Sequence, residues 1–413
     1  MKNGYRIISI ILVAVMLLML LPALTKEADD TAEETTEEPA QRIEENDAQR
    51  LDTSYSLLLS AIEAEDYNTA KVYIEECLAL CDPETNSAVY ADLLLKKACI
   101  AVIEEQNEPA LQALDAALEM QPELADAYLV RTQIYLSQGE TEEAVRNLEK
   151  YIVLSEDVSL YETVAQLYES MGDYAAADTA YEKYIVGTGD SSEKAVFQTG
   201  IYKMEAGQLE EAVAALEACL DSESYGPDAA YNIGICKMSL EDYGGAREAF
   251  DVCMEKGGLF EGIYYNRGVC NLVSEDWEAA VADFEKSIEA EPYVDDARYN
   301  LGVCLMQMED YESAVAVFTE LIEANKQSET DEQRAIDDEA YYCRAMCNAM
   351  LDNLEEAILD YTACIEHEYE LAQCYSQRAQ VYAALGDMES YNSDLEMAQK
   401  YKESIQSSQE ENT

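Results

Sequence analysis

The chain has 413 residues, 49% of them hydrophobic, and carries 86 acidic against 26 basic side chains and one histidine, for a formal charge of −60. Such a surface repels phosphate backbones and anionic headgroups, which excludes nucleic acid as a partner. The acidity itself serves solubility, with recruitment of a basic partner or of divalent cations as the sharper alternative, and twelve cysteines in this length are too few for a disulfide scaffold.

Lys2 and Arg6 precede an apolar run from Ile7 to Leu21 broken only by Ser9. A basic start before about 15 apolar residues is an export signal. Ala23 and Thr25 make a poor cleavage pair, no cysteine before Cys77 could carry a lipid, and Ile7 to Leu24 is about long enough to cross a bilayer. The expectation is a signal peptide or N-terminal membrane anchor over 1–25, with the uncleaved anchor preferred over a cleaved, secreted form, and with the remainder on the extracytoplasmic side of the cell membrane. Residues 26–50 are acidic, Thr-rich and poor in large apolar side chains, so they are expected to be a disordered linker.

Three blocks then repeat one pattern: YNIGICKMSLEDYGGAREAF from Tyr231, YNRGVCNLVSEDWEAAVADF from Tyr265 and YNLGVCLMQMEDYESAVAVF from Tyr299. Gly234, Gly268 and Gly302 lie 34 residues apart, as do Ala246, Ala280 and Ala314, and Phe250, Phe284 and Phe318. A fixed period of this length marks stacked supersecondary units. The blocks resemble the tetratricopeptide repeat (TPR) family, whose repeat carries a small residue on helix A and then Ala and an aromatic on helix B. The resemblance implies an all-α, right-handed superhelical solenoid of about ten helix-turn-helix repeats over 51–402.

In the family register, position twenty falls at Ala70, Ala110, Ala144, Ala177, Ala212, Ala246, Ala280, Ala314, Ala357 and, as an exception, Tyr391. Position eight falls at Leu58, Ala98, Thr132, Ala165, Gly200, Gly234, Gly268, Gly302, Ala345 and Ala379. Small residues at both places let two helices approach closely. The exceptions sit in the terminal repeats, which lack a neighbour. Gly-Asp or Glu-Asp pairs end helix A, and Gly there suits a left-handed C-cap with Asp capping the next helix. A longer spacing from Ala314 to Ala357 marks an insertion near 326–338, placed outside the helices, and 403–413 reads as a disordered tail.

Chemistry is scarce. His367 belongs to no metal motif and reads as a surface residue, no phosphate loop is present, and the carboxylates fall at helix-surface spacing. No catalytic residue, metal ligand or cofactor is assigned. Cys236, Cys270, Cys304 and Cys347 share position ten, and Cys77, Cys219, Cys253 and Cys364 share position twenty-seven, so they read as small buried hydrophobes. Cys219–Cys236 and Cys253–Cys270 disulfides are the alternative, and Cys343, Cys347, Cys364 and Cys374 form the one candidate metal cluster, at a spacing that matches no standard zinc site.

By resemblance, positions five, nine and twelve of helix A line a concave groove. From the fifth repeat to the ninth these are Phe197, Tyr231, Tyr265, Tyr299 and Tyr342; Ile201, Ile235, Val269, Val303 and Met346; and Met204, Met238, Leu272, Met306 and Ala349. This apolar stripe marks either a binding surface or packing along the superhelix. Asn232, Asn266 and Asn300 at position six are candidates to hold a peptide backbone. The expected function is a non-enzymatic protein-interaction scaffold, membrane-tethered and exported, that binds a protein or peptide in the groove. The alternatives are a metal- or redox-active accessory built on the cysteine cluster, or a self-associating structural scaffold.

Overall fold

The computed structural model describes residues 41–290, 294–325 and 331–410. Among them are twenty α-helices and no strand, and the contacts divide the chain into one unit up to Gly207 and another from Gln208. The first unit holds α1 (Gln41–Glu63), α2 (Tyr67–Leu80), α3 (Ser87–Ile103), α4 (Asn107–Met120), α5 (Ala125–Gln138) and α6 (Thr141–Ser155). After a 3-10 turn at Val158–Leu160 it continues with α7 (Tyr161–Ser170), α8 (Tyr174–Thr188) and α9 (Glu193–Glu205). The second holds α10 (Leu209–Glu217), α11 (Gly226–Ser239), α12 (Tyr243–Glu255), α13 (Ile263–Val273), α14 (Trp277–Ala290) and α15 (Val294–Gln307). It ends with α16 (Tyr311–Asn325), α17 (Asp331–Met350), α18 (Leu354–Glu366), α19 (Leu371–Leu385) and α20 (Met388–Glu410).

The 34-residue period has a steric cause. A Cβ placed on Gly234 would lie 2.5 Å from the Phe250 ring, on Gly268 2.8 Å from Phe284, and on Gly302 2.5 Å from Phe318. The aromatic sixteen residues downstream thus fills the space that the missing side chain leaves between helix A and helix B. The same pairing runs through both units: Ile74, Leu114, Leu148, Tyr181, Leu216 and Tyr361 at that downstream position are all fully or almost fully buried. Alanines 70, 110, 144, 177, 212, 246, 280, 314 and 357 are at zero exposure. In the last described repeat Leu395, at the same position, is 46% exposed.

Helix A ends in a left-handed residue in all ten repeats. Four use Gly139, Gly172, Gly207 and Gly386, but Glu65, Glu105, Glu241, Glu275, Glu309 and Asp352 hold the same conformation at φ between 56° and 63°. The next residue often caps helix B, as where Asp242 accepts from the Gly245 amide at 3.0 Å and Asp310 from Ser313 at 3.2 Å. A β-carbon in this conformation costs about 1–2 kcal/mol, against about 0.5–1 kcal/mol for the greater chain entropy of glycine. Glu275→Gly is therefore expected to raise the urea midpoint by the equivalent of about 0.5–1 kcal/mol, and a lowered midpoint would contradict this geometry.

Three boundaries differ from the sequence reading. Gln41 to Arg50, expected to belong to a disordered linker, are the start of α1, where Arg50 pairs with Asp47 at 3.1 Å one turn away. Asp331 to Asp338, expected outside the helices, extend α17; acidic residues favour a helix N-terminus, and Asn325 donates to Asp337 at 3.0 Å while Ile336 packs on the core. The tail is helical to Glu410, with Gln399 donating to Glu403 at 2.8 Å. The predicted anchor at 1–25 lies outside the described residues, and among those described no helix is long and apolar enough to cross a membrane.

Candidate functional site

In the second unit the predicted groove residues sit on α11, α13, α15 and α17, and each is half-buried. Tyr231, Ile235 and Met238 pack on the cluster of Ala246, Phe250 and Cys270. Tyr265, Val269 and Leu272 pack on Ala280, Phe284 and Cys304. Tyr299, Val303 and Met306 pack on Ala314, Phe318 and Cys347, while Tyr342 and Met346 pack on Ala345 and Tyr361. Phe197, Ile201 and Met204 lie half-buried on α9 in the first unit.

The tyrosines do structural work. Their rings stand 5.8, 6.0, 6.1 and 5.9 Å from Phe250, Phe284, Phe318 and Tyr361 respectively, so each covers the same aromatic that clamps its own repeat. Tyr231 also meets Phe260 at 4.8 Å, donates its hydroxyl to the Glu261 carbonyl at 3.1 Å and accepts from Asn266 Nδ2 at 3.5 Å. Asn232 Nδ2 donates to the Asp228 carbonyl one turn back at 2.8 Å. One hydrogen of each side-chain amide of Asn232 and Asn266 is therefore already donated within the fold; Asn300 is half-buried on α15. At the groove positions of the fourth repeat Glu169 accepts from Tyr202 at 2.9 Å and Glu162 pairs with Lys194 at 3.1 Å.

The sequence reading missed a recurring charged joint. Arg267 forks onto Asp283 at 2.8 and 2.5 Å and reaches Asp251 of the preceding repeat at 2.6 Å. Arg344 forks onto Asp360 at 2.9 and 2.7 Å and reaches Thr319 at 3.0 Å; Arg378 forks onto Asp394 at 2.8 and 3.0 Å and reaches Thr362 at 2.7 Å. Each arginine thus ties its own helix B to the helix B before it, in bidentate geometry. The hydrogen bonds it donates to Asp283 push the Arg267 guanidinium further up from its ordinary value, against the cost of burial. The signal was present in the sequence: Asp follows each of these arginines by sixteen residues, whereas Ile233 and Leu301 in the same register are followed by Ala249 and Val317.

All twelve cysteines are free thiols, eleven of them buried and Cys343 half-buried, so the Cys219–Cys236 and Cys253–Cys270 disulfides do not occur in this structure. Burial pushes Cys253 and Cys270 up to about 11 and Cys304 and Cys347 up to about 12. Among the described residues no group of three or more His, Cys, Asp or Glu is placed to hold a metal ion. His367 is exposed and contacts Asp338 through Nδ1.

Twenty helices in a repeating A–B pattern, with a small residue facing an aromatic or aliphatic clamp, define a helical-repeat protein-interaction scaffold. Tetratricopeptide repeat family models match residues 95–157 and 197–252, 158–185, and 272–334, and the chain belongs to this family. Its repeat fold is typically a non-enzymatic scaffold that binds proteins or peptides. No curated protein matches the chain. Among solved structures, that of Naa15/Naa10 bound to HypK-THB is similar at 14% identity over 85% of this chain and 63% of that one, with a TM-score of 0.52. The C-terminal part of a TPR repeat-containing protein from Cytophaga hutchinsonii matches at 16% identity over 57% and 93%, with a TM-score of 0.48. MamA from Desulfovibrio magneticus RS-1 matches at 18% over 42% and 97%, with a TM-score of 0.38. These likenesses concern the fold.

Proposed function

We propose that the protein is a non-enzymatic interaction scaffold, exported and held at the membrane by its first 25 residues, which takes a protein or peptide partner on the A-helix row of the second unit. The observation that supports this is the run of half-buried apolar side chains on four A helices, α11, α13, α15 and α17, which the cores beneath them leave partly open to solvent. Partly exposed Met and aliphatic side chains in a row suit an adaptable contact. The basic start at Lys2 and Arg6 and the apolar run from Ile7 support the anchor.

Because the tyrosine rings cover the clamp, their removal would loosen the repeats as well as the groove. The cleaner probe replaces Met238, Val269, Leu272 and Met306 by Gln together. Crosslinking of the full chain in its native membrane, compared by quantitative mass spectrometry, should lose specific partners in this variant, with unchanged far-UV circular dichroism. A control with Gln at the exposed Val153 and Val186 should keep them. If all three proteins recover the same partners, the groove is not the binding surface. Recovery of the full chain in a salt-washed soluble fraction with its N-terminus intact would remove the anchor.

A further inference from the structure

At the far end of that row, three tyrosines and two carboxylates come together from elements distant in sequence. Tyr299 comes from α15, Glu339 and Tyr342 from α17, and Tyr369 and Glu370 from the connection between α18 and α19. The Tyr342 ring stands edge-on to Tyr369 at 6.2 Å and to Tyr361 at 5.9 Å. Glu339 and Cys343 hydrogen-bond the Tyr299 hydroxyl. Glu370 follows Tyr369 directly in the chain, and Glu339 lies one turn before Tyr342 on α17, so the two share a helix face. All three rings are half-buried, and Glu370 is exposed.

The described basic side chains of the same elements are engaged elsewhere. Arg344 and Arg378 fork onto Asp360 and Asp394, Arg298 lies 3.8 Å from Asp295, and His367 contacts Asp338. Beside the three hydroxyls lie carboxylates and thiols. Burial, with these groups beside it, holds Tyr299 above its ordinary value. Ring faces and carboxylates both attract cations, and the attraction grows as the site loses water.

We infer that Tyr299, Tyr342, Tyr369, Glu339 and Glu370 form a receptor for a lysine or arginine side chain of the partner. The inference rests on the groove reading above and adds the chemistry of what enters it. An acetylated lysine or an acidic segment would be disfavoured, since it brings no charge or the wrong one.

The test uses the full chain and a fluorescently labelled peptide of alternating Gly and Lys, beside its ε-acetylated form, at about 0.5 M salt so that the diffuse attraction of an acidic surface is screened. The lysine peptide should bind and the acetylated one should not. Glu339→Gln with Glu370→Gln should weaken binding at least about five-fold. Glu241→Gln with Glu275→Gln, on exposed turns away from the cluster, should change it less than about two-fold. Tyr369→Phe should keep affinity and Tyr369→Leu should lose it, which separates a ring face from a hydroxyl or from mere packing; circular dichroism checks that each variant folds. Equal weakening by the two Gln pairs, binding of the acetylated peptide, or an unchanged Tyr369→Leu would overturn the inference. Failure here, with partners still lost in the Met238, Val269, Leu272 and Met306 variant, would remove the cation receptor alone; retention of partners in that variant would remove the groove reading itself.

Discussion

Raising the pH from 9 to 11 is expected to unfold the second unit without any denaturant, through its buried thiols. Burial pushes Cys253, Cys270 and Cys343 up to about 11 and Cys304 and Cys347 up to about 12, from an ordinary value of 9.0. A thiol raised in the folded state stays protonated there while the unfolded chain loses its proton. Its contribution to stability is therefore complete below pH 9 and is lost as the pH rises toward 11–12. Each thiol removes about 1.4 kcal/mol per pH unit in that window. Several acting together exhaust a stability that for domains is about 5–15 kcal/mol in total. The measurement is the urea midpoint by circular dichroism at pH 8 to 11. It should fall steeply above pH 9, and Cys270→Ala with Cys304→Ala should flatten the slope by about 2–3 kcal/mol per pH unit. A flat profile would mean that these thiols are not buried. Slow alkylation of the native protein, with all twelve thiols reacting after denaturation, would be the companion result.

The second large effect concerns the clamp. Phe318 is at zero exposure and its ring lies where a Cβ on Gly302 would fall, at 2.5 Å from Cζ and 2.6 Å from Cε1. Phe318→Ala should cost about 3–5 kcal/mol, since the cavity is closed on one side by α15 and cannot collapse without moving a helix. Gly302→Ala should cost about 1–3 kcal/mol despite the better helix propensity of alanine, because the ring must shift. In a Phe318→Leu background the same Gly302→Ala change should cost far less, as Ala98 and Leu114 already coexist in this register, both at zero exposure. A coupling between the two sites of about 0.5–3 kcal/mol in a double-mutant cycle is the signature of direct contact. Strict additivity would show that the period records something other than this steric pairing. Alanine coexists with an aromatic elsewhere, at Ala165 with Tyr181 and Ala345 with Tyr361, all buried.

By itself the sequence determined whatever the chain repeats. Position eight, position twenty and the clamp sixteen residues downstream lie on adjacent helices joined by a short turn, so their contact is local and reappears every 34 residues as a visible pattern. Eight of the twelve cysteines followed from the same register, because a small residue at a packing position is buried wherever the repeat forms. The left-handed acidic residues could be read only as far as the glycines allowed; Glu275 in that conformation is a choice the turn geometry imposes against residue preference. Helix ends outside the register, at Gln41, Asp331 and Glu410, were misplaced because composition cannot say where charged pairs and a neighbouring core extend a helix.

Tertiary structure decided what differs from repeat to repeat. The arginine joints cross from one helix B to the next through a third helix, and only the Asp sixteen residues downstream left a uniform trace in the sequence, since the upstream partner is Asp251, Thr319 or Thr362. The stripe was legible as apolar, but not that each tyrosine spends part of its ring on its own clamp. The cluster of Tyr299, Glu339, Tyr342, Tyr369 and Glu370 follows no period at all. It exists because successive A helices and one inter-repeat connection stack side by side, and that juxtaposition is a property of the packed array, not of any single repeat.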